Sequence, residues 1–84
     1  MSIKEELDLL LDLRMEHMDL EYDRKSWKKT ESNHYRWMEE EAEPEGGPVS
    51  DMYADKITHV QNMITDIDIK MGKIMKKIEE IEQN

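Results

Sequence analysis

The residues best suited to recognising a ligand lie close together in the first half of the chain. Tyr22, Arg24, Lys25, Trp27, Lys28, Lys29, His34, Tyr35, Arg36 and Trp37 fall within one short segment. They include both tryptophans and two of the three tyrosines of the 84-residue sequence. Aromatic rings stack on bases while cations meet phosphates, so this composition fits an anionic nucleotide ligand. Trp, Tyr and Arg also dominate the centres of protein interfaces, so Tyr22, Arg24, Trp27, Lys28, Lys29, Tyr35, Arg36 and Trp37 equally suit a protein partner. The plainest reading is that Tyr22, Trp27 and Tyr35 pack inside a helical bundle while the lysines stay solvated.

A second pattern is negative. Glu5, Asp8, Asp12, Glu16, Asp19 and Asp23 recur every three or four residues, and Glu39, Glu40, Glu41, Glu43 and Glu45 follow as a cluster. On a helix, neighbours at that spacing stand about 5–6 Å apart, comparable with phosphates along a strand. Such a row can occupy a basic groove in place of nucleic acid. The ordinary role of a charge row is a solvated helix face.

Little else in the sequence could do chemistry. His17, His34 and His59 are scattered; Asp55 and His59 share a helical spacing, but two ligands do not make a metal site. The absence of cysteine excludes disulfides and thiolate chemistry. Glycine-rich phosphate loops and nucleophile elbows are missing too. The expectation is a protein without catalytic residues, cofactor or metal. A formal charge of −9, from 12 basic and 21 acidic residues, disfavours direct binding to duplex nucleic acid. No apolar run approaches the 18 or so residues of a membrane span, and the opening Met1-Ser2-Ile3-Lys4-Glu5-Glu6 does not resemble a signal peptide. A complete cytoplasmic chain without membrane contact is expected.

The elements that must carry these residues are helices. Pro44-Glu45-Gly46-Gly47-Pro48 is the one stretch that cannot continue a helix. It divides a single domain into a first helical arm over 3–42, a loop over 43–50 and a second arm over 51–82. Ser2 and Glu5 form a capping-box pattern ahead of the first arm, and Ser50 is a suitable N-cap for the second, with Asp51 in its first turn. Tyr53, Ile57, Val60, Ile64, Ile67, Met71, Ile74, Ile78 and Ile81 alternate spacings of four and three, a coiled-coil seam. Met63 and Met75 widen it, Ile69 lies outside it, and Gly72 within it calls for a close helix approach. Thr30-Glu31-Ser32-Asn33 favour caps and turns, so a three-helix variant broken near 30–33 stands beside the two-helix hairpin.

The first arm is apolar on two sides. Ile3, Leu7, Leu10, Leu11, Met15, Met18 and Tyr22 share one face, and Leu9, Leu13, Leu20 and Trp27 lie nearly opposite. A helix with two apolar sides needs two partners. One is the second arm; the other is another chain. Leu9, Leu13, Leu20, Ile64, Ile67, Ile74 and Ile78 are the candidate residues of such an oligomer interface. The first arm is also the longer, so its leucine-rich start overhangs. Opposite charges support antiparallel folding, with Arg24, Lys25, Lys28 and Lys29 beside Asp66 and Asp68, and Lys73, Lys76 and Lys77 beside Glu16, Asp19 and Glu21.

Taken together, the sequence describes an all-α antiparallel hairpin that self-associates as an oligomeric bundle. In size and acidity it resembles the small inhibitors carried by phages and mobile elements. The reading these residues support is a non-catalytic, inhibitor-type protein acting stoichiometrically on a macromolecular, most simply protein, partner, with acidic rows that imitate nucleic acid. Two other functions fit: an oligomeric protein that sequesters an anionic nucleotide at Tyr22–Trp37, and a purely structural coiled-coil assembly module.

Overall fold

The computed structural model describes residues 2–83, which form two α-helices. Helix α1 spans Ile3–Glu41 and α2 spans Pro48–Glu82. They lie side by side in a rod of 62 × 15 × 13 Å. Their direction follows from the cross-helix contacts: Arg14 meets Glu82, Arg24 meets Asp68, Tyr35 meets Gln61, and Glu41 meets Tyr53. Ascending numbers on α1 face descending numbers on α2, so the helices are antiparallel. Among the described residues there is no strand, and no helix is long and apolar enough to cross a membrane.

α2 behaves as its spacing requires. Tyr53, Ile57, Val60, Ile64, Ile67, Ile74 and Ile78 are buried in one row, with Met71 and Ile81 half-buried in the same series. Met63 is half-buried at its edge, while Met75 and Ile69 are exposed. On α1 the row that faces it is Leu10, Leu13, His17, Leu20, Arg24, Trp27, Glu31, His34 and Met38, all buried or half-buried and again spaced by three and four. Leu13, Ile74 and Ile78 form the densest cluster, with Leu10, Leu20 and Ile81 against it. Because Ile81 and Glu82 already lie against residues 10–14, the first two turns of α1 extend past the end of α2.

Helix α1 runs unbroken through 30–33, which removes the three-helix alternative. Thr30 donates its hydroxyl to the Ser26 carbonyl at 3.1 Å. Its side chain is thus bonded within the helix and no longer competes for the backbone. Glu31 within that stretch and Trp27 and His34 on either side of it sit half-buried, so packing against α2 overrides the local preference.

The connection is shorter than the sequence indicates. α1 ends at Glu41 and α2 begins at Pro48, whose fixed φ and missing N–H suit a first helical position. Gly47, not Ser50, is the N-cap, and it offers no side-chain oxygen. The carboxylate of Glu43 takes over, accepting from the N–H groups of Val49 (3.3 Å) and Ser50 (3.0 Å). A Cβ on Gly47 would stand 2.7 Å from the Glu43 Cδ, so a side chain there would push that flexible carboxylate aside. Gly46 has φ +89°, open to glycine at little cost. At the other end, Ser2 Oγ accepts from the Glu5 N–H at 3.2 Å. Gly72 departs from expectation: no atom lies within 4 Å of where its Cβ would be, so no close helix approach requires it.

Two outcomes follow from these contacts. Hydrogen bonds from its own backbone N–H, then from Ser50 and Val49, hold the Glu43 carboxyl below its ordinary value of 4.5. A depressed carboxylate pKa adds stability above the unfolded value and loses it as pH falls through the folded one. Glu43→Gln will therefore lower the melting temperature at pH 7 and flatten the loss of stability below about pH 4.5, as read by thermal unfolding across pH. Gly72→Ala will raise the unfolding free energy by about 1 kcal/mol in denaturant titration, because alanine is the better helix former and nothing obstructs its methyl group.

Candidate functional site

Helix α2 has one apolar side and spends it inside the hairpin; α1 has two and buries one. The other remains free. Ile3, Leu7, Leu11, Met15, Met18 and Tyr22 form a row along the first half of α1 with exposures of 56–77%. A row of six large apolar side chains left in water is the kind of surface that marks an interaction site. It begins on the overhanging turns and runs beside a groove lined by Arg14, His17, Met18, Met75, Ile78 and Glu82. Arg14 pairs with Glu82 across the rim of that groove, and His17 Nδ1 lies 3.0 Å from Glu21.

The residues proposed for an oligomer interface fall elsewhere. Leu13, Ile64, Ile67, Ile74 and Ile78 are buried between the two helices of one chain. Leu20 is half-buried in the same core, and only Leu9 among them, 37% exposed, reaches the surface. The free side of α1 is thus the Ile3–Tyr22 row.

The acidic residues do not form one uninterrupted face toward solvent. Asp8, Asp12, Glu16, Asp19 and Asp23 are all exposed. Glu16 and Asp19, however, border a second groove opposite Lys70, Lys73 and Lys77 of α2. There α2 lysines offset α1 acids, as the antiparallel arrangement demands. Glu21 sits on the other flank with His17.

The aromatic and basic segment is dispersed around α1. Trp27 enters the interface, its ring 6.3 Å from and nearly perpendicular to that of His59. With Thr30, His34, Asp55, Lys56 and Val60 these two rings line a shallow groove. Arg24 is held by Asp68 through Nε at 2.7 Å, which lowers the Asp68 pKa and raises that of Arg24. Lys28 lies 3.5 Å from Glu31. Tyr35 accepts from Gln61 at 3.2 Å. Tyr22, Lys29, Arg36 and Trp37 are exposed. The segment therefore does not converge on one site. His34 lies between Trp37 and Tyr53, with ring separations of 5.7 and 6.5 Å, and its Nδ1 is buried without a hydrogen-bond partner among the described residues. Tyr53 donates its hydroxyl to Glu41 at 2.6 Å, and that bond, with burial, raises its pKa.

Sequence reasoning missed two features. The Glu43 cap acts across the loop through a side chain, outside the reach of a local capping pattern. The groove beside Met18 depends on Met75 and Ile78, which only the antiparallel register brings alongside Arg14 and His17. Among the described residues, no three histidines or acids gather closely enough to hold a metal ion. Comparison with protein-family models, curated proteins and solved structures gives no match to this chain.

Proposed function

We propose that this is a non-catalytic binding protein that acts stoichiometrically, docking on another protein chain through the Ile3–Tyr22 row of α1. The observation that carries this reading is the exposure of that row, a continuous series of six large apolar side chains each more than half exposed, on a hairpin whose core row is already enclosed. The buried rows act as a coiled-coil seam, a stiff mount that leaves the second side of α1 free. Burying a large apolar side chain contributes about 1.5–3 kcal/mol relative to leaving it in water. Even partial burial of six such residues is therefore a strong drive to associate.

The flanking charges shape the partner. Asp8, Asp12 and Glu21 border the row while Lys4, Arg14 and Lys25 fall along it, so a partner presents charges of both signs around an apolar centre. Mimicry of nucleic acid receives less support, since Glu16 and Asp19 face the lysines of α2. Sequestration of a nucleotide also receives less, since Arg24 is tied to Asp68 and the remaining aromatic and basic side chains point in different directions.

The test is affinity capture with the native chain and with the triple variant Leu7→Gln, Leu11→Gln, Met18→Gln. Both should give the same helical circular-dichroism spectrum, because all three positions are exposed. The native chain should hold a protein in a stoichiometric complex that the variant loses. Equal retention by both would overturn the reading.

A further inference from the structure

We infer that the chain seated on the Ile3–Tyr22 row is a second copy of this protein, its α1 antiparallel to the first. This rests on the row being a docking surface and names its occupant. The argument begins with the pattern of the row, which matches itself when reversed. With two α1 helices antiparallel and in register, Ile3 of each copy lies opposite Tyr22 of the other, and Leu7 lies opposite Met18. Leu11 falls between Arg14 and Met15. Every apolar member of the row meets another apolar member or the stem of an arginine, which can cover apolar surface while its head stays wet.

Charge agrees with this register. Lys4 of each copy comes opposite Glu21 of the other, so one two-fold axis creates two pairs of opposite sign. An isologous interface doubles every favourable contact in this way. Repulsion between the two acidic helices is moderated by each chain itself. Glu16 and Asp19 line one groove with Lys70, Lys73 and Lys77 of their own α2, on the flank away from Met75.

Shape supplies the third reason. The first two turns of α1 project past the end of α2, while the groove bounded by Arg14, Met18, Met75 and Ile78 is open beside the row. In the antiparallel register the projecting turn of one copy, carrying Leu7, reaches that groove on the other. Each hairpin supplies both a projection and a receptor, and two copies use both. A four-helix assembly results, with the two α1 helices in contact and the two α2 helices on the outside.

The chain has no cysteine, so introduced thiols report without interference. The test uses the full chain with Leu7→Cys and Met18→Cys together, treated with a short bis-maleimide. Within one helix these residues are about 16 Å apart along the axis, beyond the reach of a short bridge. Cross-linking should give a covalent dimer. The control, Leu7→Cys with Ile69→Cys, places its second thiol at an exposed position on α2 and should stay largely uncoupled. Light scattering should give twice the chain mass for the native protein. Lys4→Glu should weaken the dimer several-fold, and Glu21→Lys added to it should restore association. A dimer that couples equally well through Ile69→Cys, or not at all between positions 7 and 18, overturns the arrangement. A monomeric mass overturns the second copy as occupant. If the Leu7, Leu11 and Met18 variant still loses a foreign protein in that case, the row remains a docking surface for that protein; if nothing is lost, both readings fail.

Discussion

A pair of helices can bury only one side of each. That limit governs this molecule, because its two helices do not carry equal apolar surface. α2 concentrates Tyr53, the isoleucines and Val60 in one row and hides nearly all of it. α1 distributes leucines and methionines around more of its circumference, and its single buried residue is Leu13. The surplus on α1 cannot be hidden by any rotation of the hairpin, since turning Leu7 and Met18 inward would expose Leu13 and Leu20. An interaction surface is what that surplus leaves.

The polar members of the α1 row have a separate consequence. His17, Arg24, Glu31 and His34 occupy positions where α2 presents isoleucine or valine. Each is only half-buried: His17, Arg24 and Glu31 reach charged groups at the edge of the interface, whereas the Nδ1 of His34 stays buried without a hydrogen-bond partner among the described residues. Arg24 uses that position to grip Asp68, and Tyr35 and Glu41 reach Gln61 and Tyr53 further along. Exposed pairs of this kind add little stability, about 0–1 kcal/mol each. Their greater effect is on register. Sliding α1 by one turn would separate all three contacts and oppose unlike partners, whereas the isoleucine row alone would tolerate the slip.

How much of this was legible beforehand depends on whether the deciding contact was local. The α2 row was readable because one helix carried all of its signal at unbroken three- and four-residue spacing. The position of the turn was readable from Pro44 to Pro48, and the Ser2 cap from its own sequence. The choice of inner side on α1 was not. The Leu9–Leu13–Leu20–Trp27 and Leu7–Leu11–Met15–Met18 sides are similarly apolar, and the hairpin decides between them by combining Leu10 with Leu13, Leu20 and Trp27. That decision belongs to α2 and to the Arg24–Asp68 contact, not to α1. Helix α2 begins at Pro48 rather than after Ser50 for a similar reason, because Glu43 reaches across the loop to the N–H groups that Gly47 leaves free. The segment from Tyr22 to Trp37 looked convergent in sequence because consecutive residues were close in number; on a helix they point in different directions.

The eight methionines provide the most direct measurement of the central claim, that one apolar row of α1 lies outside a hairpin whose core row is enclosed. Limited peroxide oxidation of the dilute chain, mapped by mass spectrometry, reads each sulfur's access to water. Met15 and Met18 should be modified well before Met63 and Met71, which are half-buried beside the isoleucine row. Modification of Met63 and Met71 as fast as Met15 and Met18 would contradict this division of the apolar surface, and with it the docking surface on α1.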